Sequence, residues 1–169
     1  MLQLVRRILG FSNILVVLAL VSACTMSLVP QYQQSLVDGI NAANTKALTL
    51  FASVAEGSPK SDYGTYAATY DQLIGSFNAL AVSAASRPVP ALAAKFLAGQ
   101  LKTVCATATN AAACVNSTSD KLTAAAEDFV EMKHQHAYGG LTPTVLIPIK
   151  TDYDFSILQA LTIENALKR

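Results

Sequence analysis

The chain has 169 residues, with 12 lysines and arginines against 11 aspartates and glutamates, and 52% of its residues are hydrophobic. This length is that of one ordinary domain. The near-balance of charge lacks the strongly basic excess that is typical of nucleic-acid-binding proteins, so nucleic acid is excluded from the expected partners.

The first 23 residues have the pattern of a secretory signal. Met1 to Arg7 contain two arginines and no acidic residue, and the run from Ile8 to Ala23 is mostly apolar and ends in small residues. A positive start, an apolar run and a small-residue end are the three parts of such a signal. A transmembrane helix would need about 20 apolar residues, and this run is shorter. The paired arginines are reminiscent of a twin-arginine signal, but the residues after them fit that pattern poorly, so we expect the general secretory route.

The segment Val21-Ser22-Ala23-Cys24 resembles the lipobox of bacterial lipoproteins. The resemblance implies a diacylglyceryl group on the Cys24 sulfur, cleavage before Cys24 and a lipidated N-terminus anchored to a membrane. In that class an aspartate after the cysteine favours the inner membrane, and Thr25 stands there instead. We therefore expect an outer-membrane protein that faces the periplasm. An uncleaved anchor and a soluble secreted form remain as alternatives.

Cleavage would divide the chain into three parts. Residues 1–23 are the signal peptide, residues 24–30 a lipidated tether, and residues 31–169 a helical domain. The 146 remaining residues carry 10 basic and 11 acidic side chains, because Arg6 and Arg7 leave with the signal. Their high alanine and leucine content favours helix, and a chain of this length can bury a sizeable core.

Two amphipathic helices are predicted in the first half of this domain. The first runs from Gln31 to Glu56 and ends at Gly57, and Ser58-Pro59 has the sequence of an N-cap followed by a first-turn proline. The second helix is expected to end at Arg87-Pro88-Val89-Pro90, since proline cannot extend the hydrogen-bond ladder. The apolar stripes are Leu36, Ile40, Ala43, Ala47, Phe51 and Val54 on the first helix, and Tyr66, Tyr70, Leu73, Phe77, Leu80 and Ala84 on the second.

The second half predicts two or three further helices. A short helix from about Pro90 to Ala106 precedes a small, polar loop over Thr107–Ser117. The next helix begins near Thr118 and ends at Gly139-Gly140; Leu122, Phe129 and Met132 point inward, and Glu127, Asp128 and Glu131 are exposed. The last segment begins either at Thr142-Pro143 or near Thr151, because Pro148 fits poorly inside a helix. Its apolar face is expected to centre on Leu161.

These elements predict an all-α fold. No alternating strand pattern is present, and short connections between long amphipathic helices favour antiparallel neighbours. We expect an up-and-down bundle of four or five antiparallel helices.

Cys105 and Cys114 are the remaining cysteines once Cys24 is lipidated. In an oxidising compartment an even number of cysteines favours a disulfide. Nine residues apart on one continuous helix they could not bond, but the Thr- and Asn-containing stretch between them favours a break. We expect a disulfide, with buried free thiols and redox or metal chemistry as the alternatives.

Three groups of residues are candidate sites. Glu131 and His134 match the Glu-x-x-His spacing of di-metal bundles, but no second copy is present, so we interpret them as a solvated face and expect no metal or other cofactor. His136 lies near the apolar stripe and is expected to be a capping or half-buried residue. The tyrosine ladder (Tyr63, Tyr66 and Tyr70) is interpreted as a core stripe with hydroxyls at the rim, the alternative being a binding surface for a peptide, glycan or apolar ligand.

None of these groups is a catalytic signature. We therefore expect a non-enzymatic envelope lipoprotein that acts through protein contacts, with a partner that the sequence does not identify. The alternative is a helical module that binds a small molecule or a metal, and an enzyme ranks third.

Overall fold

The computed structural model describes residues 30–90 and 117–168. They form four helices: α1 (Gln34–Ser53), α2 (Tyr63–Ala85), α3 (Thr118–Gly139) and α4 (Pro143–Leu167), with a short 3-10 helix at Lys60–Asp62. The predicted all-α bundle is confirmed. The predicted helix from Pro90 to Ala106 and the loop that follows it lie almost entirely outside the described residues.

The helices pack in a closed antiparallel ring. α1 contacts α2 and α4, and α3 contacts the same two helices from the other side. The start of α3 lies beside the end of α2, where the Ser119 hydroxyl donates to the carbonyl of Ala81 over 3.0 Å. The end of α3 lies beside the start of α2, where Lys133 donates to Asp71 over 2.6 Å. The two helices therefore run in opposite directions.

The bundle has two chemically different ends. At the end that we call the His136 end, the α1–α2 connection (residues 54–62) meets the α3–α4 connection (residues 140–142). At the other, the Arg87 end, α1 and α3 begin and α2 and α4 finish. There the Lys168 ammonium lies 5.9 Å from the ring centroid of Tyr32, which places the finish of α4 beside the start of α1.

The two connections at the His136 end are joined backbone to backbone. The Ser58 N–H donates to the Leu141 carbonyl over 2.9 Å, and the Leu141 N–H donates to the Ser58 carbonyl over 2.7 Å. Gly57 and Gly140 both have positive φ, at 97° and 80°, and a Cβ on either would lie 2.9 Å from a backbone atom of the opposite connection. Glycine is needed at both positions because other residues would meet steric and torsional strain.

The predicted capping role of Ser58 is wrong. The backbone of Ser58 pairs with Leu141, so Pro59 leads only into the 3-10 helix, and α2 begins at Tyr63. By contrast, the cap-plus-proline start of α4 is confirmed: the Thr142 hydroxyl accepts from the N–H of Val145, and Pro143 takes the first helical position.

α4 continues through Pro148, which decides between its two predicted starts. Proline removes the hydrogen bond to the carbonyl four residues back, here that of Thr144. Both residues are exposed, so water can satisfy that carbonyl.

The core is apolar and centred on four packed aromatic rings. Phe51, Phe77, Phe129 and Tyr153 lie with ring centroids 5.2–5.9 Å apart. The predicted stripes on α1, α2 and α3 are buried as expected, with Tyr66 and Leu80 only partly buried.

The prediction that Leu161 is central to α4 is wrong. Leu161 is half-buried, and Ala160 and Glu164 take the innermost positions after Ile157. Four residues turn a helix by about 400°, so successive steps of four drift sideways and a step of three is needed to return to the core. No helix in the ranges 30–90 and 117–168 is long and apolar enough to cross a membrane.

Candidate functional site

A buried histidine fastens the His136 end. His136 is fully buried on the last turn of α3, and its Nδ1 lies 2.9 Å from the Tyr70 hydroxyl of α2. Its Nε2 lies 3.1 Å from the carbonyl oxygen of Pro59, which can only accept a hydrogen bond. Nε2 therefore carries the hydrogen, and Nδ1 accepts from Tyr70. Both ring nitrogens are thus hydrogen-bonded, and they tie the α1–α2 connection to α2 and α3.

The tyrosine ladder surrounds this histidine. The rings of Tyr63, Tyr66 and Tyr70 lie with centroids 5.8, 5.6 and 5.9 Å from that of His136. The prediction that the hydroxyls reach the rim is wrong for Tyr70, whose hydroxyl is buried against His136. Burial raises the pKa of Tyr70, and the neighbouring hydroxyls of Tyr66 and Tyr63 raise it further, so this phenol stays a donor. His136 is more buried than predicted, because its two hydrogen bonds offset the cost of desolvation.

A buried ion pair lies at the Arg87 end, and the sequence analysis missed it. Arg87 donates from Nη1 and Nη2 to the two carboxylate oxygens of Glu164, each over 2.7 Å. The Thr118 hydroxyl donates to the same carboxylate over 2.6 Å. The side chains of Arg87 and Glu164 are 1% and 0% exposed. The end of α2, the start of α3 and the end of α4 thus meet in one polar cluster.

One signal in the sequence pointed to this cluster. Glu164 continues the buried face of Ile157 and Ala160 by a step of four, so the helical pattern places a carboxylate where a core residue belongs. A buried carboxylate requires a partner, but Arg87 is 77 residues away in the chain and looked like part of a helix terminator.

The Glu131–His134 pair lies on the surface of α3. Glu131 and His134 are both exposed, and Glu131 accepts a hydrogen bond from Gln135 on its own helix. Within residues 30–90 and 117–168, no three His, Cys, Asp or Glu side chains are grouped so that they could hold a metal ion.

Asp128 is not the exposed residue that was predicted. It is half-buried, and its Oδ2 has no hydrogen-bond partner within the described ranges. Burial raises the pKa of Asp128 to about 6, and the carboxylates of Asp152 and Glu127 contribute to the increase. Asp128 is therefore a half-buried carboxyl of α3 that is influenced by Asp152 of α4.

Large apolar side chains are exposed along α4. Ile147, Phe155 and Leu158 are 67%, 58% and 65% exposed, and all belong to the solvent side of the helix. A groove of about 570 Å³ runs between α1 and α4 and includes Ile147 in its lining. Its lining is mainly apolar, with Leu48, Phe51, Ala52, Ala55, Pro143, Leu146 and Ile147, and three polar residues, Lys150, Thr151 and Asp154.

The predicted covalent sites are not among the described residues. Cys24 precedes residue 30, and Cys105 and Cys114 fall between residues 90 and 117. Lipidation of Cys24 and the disulfide therefore stay predictions.

Comparison with known proteins identifies no relative. No protein-family model, no curated protein and no solved structure matches this chain.

Proposed function

We propose that this chain is a non-enzymatic lipoprotein of the bacterial cell envelope, anchored through Cys24 and acting through protein contacts on the periplasmic side. The proposal of protein contacts rests on the exposed apolar side chains of α4 and on the groove between α1 and α4. Several large apolar side chains exposed on one helix, together with a mainly apolar groove, are typical of a protein-interaction site. The anchor is supported by the signal pattern and the lipobox.

The position of the groove, unlike that of Phe155 and Leu158 further along α4, favours a protein partner over the membrane itself. The seven residues 24–30 can span at most about 25 Å, so the anchor would hold the Arg87 end of the bundle towards the membrane. α4 has 25 residues, and such a helix is about 37 Å long. The groove lies against the half of α4 nearest the His136 end, so it would be held away from the lipid.

The bundle interior gives less support to the small-molecule alternative. The four central rings are in mutual contact, and the buried polar groups at both ends satisfy one another. A ligand in the interior would have to displace close-packed side chains, which is costly.

The interface can be tested by photo-crosslinking in cells. A photoreactive amino acid at Leu158 is expected to give an adduct of one defined mass, which Phe155→Glu removes. Val82 provides the matched control position, because it is 70% exposed and lies on α2, across the bundle from α4. Identical adducts from Leu158 and Val82, or an adduct unaffected by Phe155→Glu, would contradict an interface on α4.

The anchor is tested separately. Cys24→Ser is expected to abolish lipidation and to leave unprocessed precursor, measured by intact mass and membrane fractionation. Unchanged mass and processing in this variant would overturn the lipoprotein assignment without affecting the α4 interface.

A further inference from the structure

A second groove, between α1 and α2, has a different chemistry from the groove beside α4. It has a volume of about 390 Å³, within the range of about 300–1,000 Å³ that is typical of ligand sites. Leu50 and Leu73 form its buried floor. The rest of its lining is polar or aromatic: Thr45, Lys46, Thr49, Ser53, Tyr66, Thr69 and Gln72.

A row of hydroxyl oxygens lines the α1 side of this groove. The hydroxyls of Thr45, Thr49 and Ser53 each donate to a backbone carbonyl of α1, over 2.7–2.9 Å. Their hydrogens are therefore used within the helix, and their lone pairs are available to accept from a ligand. Residues four apart on a helix are about 6 Å apart along its axis, so the row suits a ligand with hydroxyl donors at several points.

The α2 side supplies an aromatic ring that is already fixed in place. Tyr66 lines the groove, and its ring also packs against the buried ring of His136 at a centroid distance of 5.6 Å. His136 is itself held by two hydrogen bonds. Binding to Tyr66 would thus cost little side-chain ordering, because the ring is preorganised.

The groove lining also contains two nitrogen donors, an amide and an ammonium, and it contains no carboxylate. Gln72 and Lys46 line the groove and, within the described residues, form no intramolecular hydrogen bond or ion pair. Since Lys46 is the one charged group in the lining, the groove favours a neutral or anionic ligand over a cationic one.

We propose that the α1–α2 groove binds an oligosaccharide, with one sugar ring against Tyr66 and an acidic substituent near Lys46. Sugars combine an apolar ring face, which packs on an aromatic side chain, with hydroxyls that donate to the Thr–Ser row. A purely apolar ligand would leave those acceptors unused. The site is independent of the α4 interface, since it lies on the other side of α1.

The proposal can be tested with two disaccharides that differ in one substituent. N-acetylglucosaminyl-N-acetylmuramic acid carries a carboxylate, and chitobiose has similar rings without it. Saturation-transfer NMR would be recorded on the full-length protein in a detergent that has no sugar headgroup, at ligand concentrations of about 1–10 mM. We expect both disaccharides to receive saturation at their ring protons and the carboxylate form to bind more tightly.

Four substitutions locate the binding. Tyr66→Leu is expected to weaken both ligands roughly tenfold or more, and Lys46→Met to remove the preference for the carboxylate. Because Tyr66 is partly buried, Thr49→Val provides an exposed alternative on the groove, with Thr123→Val on α3 as its matched control. Thr49→Val should weaken binding and Thr123→Val should not.

Three results would overturn the proposal. These are no transfer to either disaccharide, transfer that survives both Tyr66→Leu and Thr49→Val, and equal loss with Thr49→Val and Thr123→Val. Equal affinity for the two ligands in the unaltered protein would overturn the role of Lys46.

Discussion

Breaking the ion pair at the Arg87 end should destabilise the bundle more than any surface change. Glu164→Gln keeps the size of the side chain and two of its three hydrogen bonds at most, and it removes the negative charge that Arg87 contacts through two nitrogens. Both side chains are almost completely buried. Removing one partner of such a pair typically costs about 3–5 kcal/mol.

This loss is large compared with the total free energy of unfolding. Domains of this size are stable by about 5–15 kcal/mol, and 1 kcal/mol corresponds to about 2–8 °C in Tm for domains of about 60–250 residues. Glu164→Gln should therefore lower Tm by at least about 6 °C. Urea unfolding followed by circular dichroism at neutral pH gives the free energy of unfolding directly.

An exposed ion pair in the same bundle provides the control. Lys133 and Asp71 also join two helices, but their side chains are 32% and 63% exposed. Exposed pairs contribute about 0–1 kcal/mol because water and salt screen the charges. Asp71→Asn should accordingly have little effect. If Glu164→Gln and Asp71→Asn changed the unfolding free energy equally, the reasoning from burial would be refuted.

A double substitution separates the pair's attraction from the cost of an isolated charge. Arg87→Met with Glu164→Leu removes both charges and substitutes apolar side chains. Such replacements are often neutral or stabilising, so the double variant should be clearly more stable than Glu164→Gln. A double variant as unstable as Glu164→Gln would mean that the hydrogen bonds, not the uncompensated charge, account for the loss.

Three further predictions concern the other buried and covalent groups. The folded-state pKa of Asp128 is about 6, and the unfolded value is about 3.9. The folded state therefore binds this proton more tightly than the unfolded state does. The free energy of unfolding should fall as pH rises from about 4 through 6. Asp128→Asn should remove that fall and, allowing for its partial exposure, stabilise the protein at pH 7 by about 1–2 kcal/mol in urea unfolding; a lower stability would contradict this. Tyr70→Phe leaves the Nδ1 of buried His136 without its donor and should lower the free energy of unfolding by about 1–3 kcal/mol. Nitrogen NMR of the unaltered protein should show hydrogen on Nε2 of His136. Hydrogen on Nδ1 alone would refute the assignment. Mass spectrometry after non-reducing alkylation should find no alkylated thiol at Cys105 or Cys114, and two alkylated thiols would exclude the disulfide.

The sequence predicted the features that depend on local periodicity and backbone chemistry. The apolar stripes of α1 to α3 identified the core, and Thr142-Pro143 identified the start of α4, because capping depends on a few adjacent residues. Predictions from local patterns were wrong where contacts between distant residues determine the structure. Ser58 has the sequence of a cap, but its backbone pairs with Leu141. The Arg87–Glu164 pair could not be predicted, since the two residues are far apart in the chain and only the packing of three helices brings them together.

The polar groups that stabilise this bundle are buried at its two ends, and the groups that can contact other molecules lie on its exposed surface. At the His136 end, a buried histidine ties the α1–α2 connection to α2 and α3, and at the Arg87 end an ion pair joins α2 and α4. Both clusters are buried and satisfied internally, so a substrate would have to unfold part of the bundle to reach either one. The exposed surface differs on the two sides of α1: towards α4 it is apolar, and towards α2 it carries hydroxyls, an amide, an ammonium and one fixed ring. The same helix therefore separates a surface suited to a protein from a groove suited to a sugar, and substitutions on one side should leave the other unchanged.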